Sequence, residues 1–210
     1  MTREVAALPA RYADRTFDTY QPRTPSQTEA LDTMRRLAEG TIRNAAILGK
    51  PGVGKSHLAA ATATAWSRRT GVRAEWVNVP QLLVDLRSEY GTDDFETRAL
   101  VRTLRASKGL VILDDLGREK ASDWTSEMVY TLVNARYEAL LPTAATTNLT
   151  PDELVTNGYW PALSRLAEDG ALVRIEAPDH RTRRPAAQTR RAAEDEYSDG
   201  LVASIEERHR

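Results

Sequence analysis

The chain has 210 residues, is 41% hydrophobic and carries a formal net charge of −1. That length supports one α/β domain with a tail, and the near-neutral balance excludes a bulk electrostatic drive toward nucleic acid or membrane, so any such contact rests on local patches. The absence of cysteine excludes disulfides, thiol catalysis and thiolate metal sites. No apolar run approaches the ~18 residues of a membrane span, and Met1-Thr2-Arg3-Glu4-Val5 lacks a signal-peptide core, so the expectation is a cytoplasmic protein with no membrane partner.

Residues 1–25 hold Pro9, Pro22 and Pro25 with Tyr12, Phe17 and Tyr20 between them. They read as an extended lead-in whose aromatics pack on the domain or near a bound adenine. Ser26 caps a helix, with Glu29 three residues on as a capping box. Leu31, Met34, Arg35, Leu37 and Ala38 keep helical spacing up to Gly40.

Ala45-Ala46-Ile47-Leu48 is a short buried strand. It runs into Gly49-Lys50-Pro51-Gly52-Val53-Gly54-Lys55-Ser56, which matches G-x-x-x-x-G-K-[ST]. An Ala-rich helix leaves it, from Lys55 to about Arg69, closed by Gly71. That strand–loop–helix context makes the stretch a phosphate cradle. Gly52 and Gly54 let successive backbone N–H groups face one concave space, and the positive end of the helix dipole adds to it. Lys55 supplies a point charge for the β- and γ-phosphates, and Ser56 a hydroxyl ligand for Mg²⁺. The nucleotide contacts are assigned to Gly49, Lys50, Pro51, Gly52, Val53, Gly54, Lys55, Ser56 and His57.

Ala74-Glu75-Trp76-Val77-Asn78-Val79 alternates as the second strand. Pro80 opens a helix with Leu82, Leu83 and Leu86 as its apolar positions. Gly91-Thr92-Asp93-Asp94 breaks it, and Phe95 to Ser107 forms another, with Leu100, Val101 and Leu104 inward. Gly109-Leu110-Val111-Ile112-Leu113 is an unbroken apolar run of the kind buried on both faces of a parallel sheet. It delivers Asp114 and Asp115 to the sheet's carboxyl edge, where ligands bind in open α/β folds. Asp114 is the candidate metal ligand for Mg²⁺, and Asp115 the candidate that polarises an attacking water; paired turn aspartates would look the same in isolation.

Asp123 to Leu140 is a long helix with Met128, Leu132 and Tyr137 on its stripe. Thr143 to Thr147 is the fourth strand, with Asn148 at its end as either a water-orienting group or a turn residue. Short helices follow from Pro151 and over Pro161–Glu168, and Ala171–Ile175 is the last strand. Beyond Pro178 the apolar pattern fades into an Arg-rich tail, with 201–206 as one further helix. The divisions are a lead-in over 1–25, an ATPase domain over 26–181 and the tail over 182–210. Strands alternating with helices give an α/β fold, a mainly parallel five-stranded sheet flanked by helices.

The ordered set GKPGVGKSHLA, WVNVPQLLVDLR, LVILDDLGREKAS, LVNARYEALLPTAATTNLTPDEL and SRLAEDG-AL resembles the DnaC/IstB branch of AAA+ ATPases, from about Tyr12 to Arg181. The resemblance implies a P-loop fold of AAA+ type and a magnesium-dependent ATPase. It makes Lys55 and Ser56 the Walker A pair, Asp114 and Asp115 the Walker B pair, and Asn148 sensor 1. Arg165 is similar to the finger that reaches a neighbouring subunit's γ-phosphate, and Arg181 to the sensor 2 arginine; on residue type alone either is equally a surface ion pair. A finger acting in trans implies head-to-tail assembly into rings or open helices.

Residues 80–107 resemble the initiator-type helical insertion that lines a single-strand DNA path. Arg87 and Tyr90, with Ser122 and Trp124 after Walker B, are the implied DNA contacts; core or lid packing is the alternative for Tyr90 and Trp124. About 11 residues precede the match, too few for the N-terminal helicase-gripping domain usual in loaders. The second Walker B acid is Asp rather than Glu, which implies slow hydrolysis. Residues 182–210 leave little or no lid. The implied function is a loader that places a DnaB-type replicative helicase on single-stranded DNA. The alternatives are an IstB-like transposition helper and a nucleotide-regulated protein adaptor that binds no DNA.

Overall fold

The computed structural model describes residues 8–88, 104 and 106–180. Five strands, β1 (Asn44–Gly49), β2 (Glu75–Asn78), β3 (Val111–Leu116), β4 (Thr143–Thr147) and β5 (Gly170–Ile175), form one sheet in the order β2-β3-β4-β1-β5. Every pairing is parallel. The helices are α1 (Pro25–Glu39), α2 (Lys55–Thr70), α3 (Val79–Ser88), α4 (Asp123–Glu138), α5 (Pro151–Thr156) and α6 (Trp160–Glu168). The compact unit that holds the sheet ends at Ala177, and Pro178 begins a second unit. Among the described residues no helix is long and apolar enough to cross a membrane.

Alternation along the strands sorts the core into two layers. Ala45, Ile47, Ile112, Ala144, Val173 and Ile175 face α1 and α2 with Leu37 and Leu58. Ala46, Leu48, Val111, Leu113 and Ala145 face α3, α4 and α6 with Leu83, Val129, Val133 and Leu163. Strands β1 and β4 are buried along their whole length, since each has a strand on both edges and helices on both faces.

Three expectations are corrected. The cap of α1 is Thr24, whose hydroxyl accepts the Gln27 N–H at 3.3 Å. Pro25 takes the first helical position, where its missing N–H is no loss. Ser26 instead exchanges hydrogen bonds with the main chain of Glu176, beyond β5. The buried stripe of α4 is Thr125, Val129, Leu132, Val133 and Arg136; Met128 and Tyr137 are only half-buried. Met128 packs at the edge of the core, and the buried face is completed by Arg136, which a periodicity argument reads as a solvent residue. Finally, Asp114 and Asp115 lie inside β3, which continues to Leu116.

The lead-in packs on the domain. A 3-10 turn at Ala10–Tyr12 sets the Tyr12 ring 5.1 Å from that of Trp76, Phe17 joins the α1–α2 layer, and Tyr20 is buried. Most of the expected helix Phe95–Ser107, together with Tyr90, Arg181 and the tail 182–210, lies outside the described residues.

Candidate nucleotide site

Sheet order determines the site. Strand β4 lies between β1 and β3, so the ends of all three converge: the glycine loop after β1, the aspartates of β3 and Asn148 after β4. In the loop, Gly54 is the N-cap of α2 at φ 103, a conformation L side chains rarely adopt. A Cβ there would stand 2.7 Å from the Tyr20 ring. Lys55 is buried, and its ammonium donates to Gly49 O at 2.7 Å, Lys50 O at 3.0 Å and Asn148 Oδ1 at 2.7 Å. Asn148 therefore meets the lysine of the cradle.

Two supports come from the N-terminal side. The buried Gln27 amide donates to Val53 O at 3.1 Å, and its oxygen accepts the Arg23 N–H at 2.8 Å. The His57 ring reaches Thr16 O at 2.9 Å and Thr19 Oγ1 at 3.2 Å and packs T-shaped against the Tyr20 ring. Burial lowers its pKa, so the neutral ring serves as a strut for the lead-in. Burial likewise raises the Tyr20 phenol to about 12.

At the other wall, the β3–β4 ladder shifts register between Leu113 and Leu116. Three steps on β3 oppose two on β4, a bulge that re-aims side chains, with Asp115 at φ 61. Thr146 fills it. Its hydroxyl donates to Asp114 Oδ1 at 2.6 Å and accepts the Asp115 N–H at 3.1 Å. Ser56 donates to the same Asp114 oxygen at 3.0 Å, which joins the cradle to the aspartates. Burial, then Asp115, pushes the Asp114 pKa up against the two hydroxyl contacts. Asp114 Oδ2 is buried and takes no hydrogen bond among the described residues. A hydroxyl and an under-coordinated carboxylate oxygen are hard donors suited to Mg²⁺, which completes its shell with water and phosphate oxygens. Asp115 is less buried and pairs at 3.4 Å with the exposed Arg118.

Arg87 and Trp124 come together although 37 positions apart in sequence: the guanidinium lies 5.0 Å from the ring centroid, bridging the end of α3 and the first turn of α4. Ser122 is the N-cap of α4 in a capping box with Thr125, so its hydroxyl has a local task. Arg165 sits on α6, 5.0 Å over the Tyr137 ring and 3.4 Å from Glu168. Sequence reasoning missed Gln27 and Thr146. The signal for Thr146 was its place two residues before Asn148 on a strand buried on both faces.

A glycine cradle with a buried lysine, opposite an acidic strand end on a β2-β3-β4-β1-β5 parallel sheet, defines a P-loop nucleotide-binding protein of AAA+ type. The chain belongs to the family of IstB-like ATP binding proteins, whose family model matches residues 1–157. It is 26% identical over 141 residues to the replicative helicase loader DnaC of Escherichia coli K12, covering 66% of this chain and 57% of that protein. The matched stretch thus spans little over half of that relative's length. A crystal structure of the DnaC helicase loader superposes with a TM-score of 0.70 at 29% identity, over 80% of this chain and 100% of that one. A crystal structure of DnaI gives 0.69 at 19% identity, over 83% and 94%, a likeness of fold.

Proposed function

We propose that the chain is a DnaC-like helicase loader: an ATPase that binds single-stranded DNA and helps place a DnaB-type replicative helicase on it. The observation that carries ATP use is the continuous contact Asn148–Lys55 and Ser56–Asp114–Thr146, which joins the phosphate cradle to the acidic strand end. Ser56 and Asp114 would hold Mg²⁺, which would neutralise charge on the triphosphate. Asp115 polarises the attacking water and Asn148 orients it, with Arg165 serving a neighbour's site in a head-to-tail assembly. Arg181 is assigned as the sensor 2 arginine on the resemblance alone. The likeness to the E. coli loader supports the choice of partner.

The DNA contact is assigned to Arg87 and Trp124 on their pairing, and to Tyr90 and Ser122 on the resemblance alone. A cation held over an indole face offers one phosphate contact and one stacking platform. Stacking of this kind is worth ~1–3 kcal/mol per base. Trp124→Ala with Arg87→Ala is therefore expected to weaken single-strand affinity by about fivefold or more, measured by fluorescence anisotropy with a labelled oligonucleotide. Wild-type affinity should fall steeply with salt as counterions are released. Unchanged affinity in the double variant removes this path, and salt-independent binding favours the protein adaptor.

The family match itself supports a second reading, an IstB-like helper of transposition. A preference for duplex over single-stranded DNA in the presence of ATP, with no capture of the replicative helicase, would select it.

For the finger, Arg165→Ala should leave ATP affinity intact and lower turnover by about 1,000-fold or more, the scale of such arginines. Mixing that variant with Asp115→Asn subunits should restore part of the phosphate release, because wherever the Arg165→Ala subunit's intact site meets the Asp115→Asn subunit's intact finger the interface is complete. No recovery on mixing overturns the trans assignment.

A further inference from the structure

The turn that follows the paired aspartates is held from a second place, the start of α6. Tyr159, the residue before that helix, is fully buried. Its phenol donates to Glu119 Oε1 and lies 3.3 Å from Thr125 Oγ1. The same Glu119 oxygen accepts the Gly117 N–H at 3.2 Å. Burial, then the Glu119 contact, raises the Tyr159 pKa, so the phenol stays a donor. Glu119 Oε2 is buried with no hydrogen bond among the described residues.

Between Asp115 and Glu119 the chain passes through two left-handed residues, Asp115 at φ 61 and Gly117 at φ 81. The Arg118 N–H closes the turn on Asp115 O at 3.3 Å. A Cβ at Gly117 would meet Leu149 Cδ1 at 2.3 Å, so the turn lies against the residue that follows Asn148. Conformations of this kind persist only where the surroundings over-determine them. Thr146 anchors the near end through the Asp115 N–H. The far end is anchored by Glu119. A buried phenol needs only one acceptor. A carboxylate that leaves one oxygen buried and unpaired is a costly choice, and its effect here is to fix the turn.

We propose that Tyr159 and Glu119 are positioning residues for Asp115: their hydrogen bond locks the far end of the Asp115–Glu119 turn and so sets the aim of the Asp115 carboxylate. The same bond ties the turn to α6, the helix that carries Arg165. The inference rests on the reading of Asp115 as the group that polarises water.

The test uses the full chain. Tyr159→Phe removes one hydroxyl and keeps the ring. It should leave ATP affinity within about twofold while single-turnover phosphate release slows about tenfold, the scale of one well-placed interaction lost at the transition state. Trypsin cleavage after Arg118, whose side chain is 71% exposed, should speed up relative to cleavage elsewhere. Glu119→Ala should match Tyr159→Phe. Glu119→Gln keeps an acceptor for both donors and should restore release to within about threefold of the unaltered chain. Asp115→Asn is measured in parallel. If it leaves release unchanged, the reading of Asp115 fails. If it slows release while Tyr159→Phe does not, the positioning role alone is overturned. Loss of ATP affinity and turnover in step with thermal stability, with the Arg118 cleavage rate unchanged relative to other sites, assigns Tyr159 to packing and also overturns it.

Discussion

Lys55→Ala is expected to lower ATP affinity by roughly 30-fold to several thousand-fold, since truncating one partner of a buried charge pair costs about 2–5 kcal/mol. Turnover should fall below detection. On the proposed reading, the cradle binds phosphate through three contributions. Backbone N–H groups and the end of α2 supply partial charges, and the lysine supplies a full one. The ammonium is already placed: it is held by Gly49 O, Lys50 O and Asn148 Oδ1, so little side-chain entropy remains to be lost when phosphate arrives.

The same three contacts make a conservative control informative. Lys55→Arg keeps the charge but replaces a compact ammonium with a planar fork on a longer stem. The Gly49 and Lys50 carbonyls and Asn148 Oδ1 converge on one ammonium nitrogen, so the fork should recover only part of the affinity. Titration with a fluorescent ATP analogue reads binding, phosphate release reads turnover, and thermal unfolding checks that each variant is folded. Undiminished turnover in Lys55→Ala would sink the assignment of this loop as the nucleotide cradle.

What the sequence made legible was local. The glycine loop, its flanking strand and helix, and the acidic end of β3 are each contiguous, so spacing alone located them. The helix ends at Gly40 and Gly71 and the helix start at Pro151 were legible for the same reason. The rest depends on contacts between distant positions. Thr146 and Asp114 are 32 residues apart, and Gln27 and Val53 are 26 apart. Nothing in a polar residue's neighbourhood along the chain says whether it faces a bulge, a carbonyl or water. His57 and Ser122 show the converse. Their position beside a motif is plain from the sequence, and only the fold shows that their side chains bond the lead-in and the cap of α4. Arg87 and Trp124 were each recognisable as surface contacts, but their pairing required the fold.

Arg136 was wholly illegible, and its replacement should have the largest effect on stability. It is fully buried, at the C-terminal end of the buried stripe of α4, one position before the Tyr137 that the periodicity placed there. Its guanidinium donates to Thr143 Oγ1 at 2.9 Å, Ser107 O at 3.0 Å, and Gly109 O and Pro142 O at 2.8 Å each, as well as to Leu104 O. All five N–H donors are used, and among the described residues no carboxylate pairs with it. Burial lowers its pKa to about 10, so it remains charged at neutral pH.

Replacing a buried ion pair by apolar residues is often harmless, because both partners leave together. Here they cannot. Four of the acceptors are main-chain carbonyls, which stay behind whatever side chain is put at 136, and each buried acceptor left unmatched costs about 1–3 kcal/mol. Arg136→Met, which keeps much of the volume, should therefore destabilise by about 3–6 kcal/mol after relaxation and water entry. At roughly 2–4 °C per kcal/mol for a domain of this size, the fall in Tm is ~10–20 °C. Arg136→Lys keeps the charge with fewer donors and should fall between. Those carbonyls join the segment entering β3 to the turn entering β4, so the loss should reach the strands that carry Asp114 and Asn148. Circular dichroism melts of the three proteins decide it. A Met variant as stable as the unaltered chain would mean that water replaces all five bonds, and that the buried guanidinium does not hold the base of the sheet together.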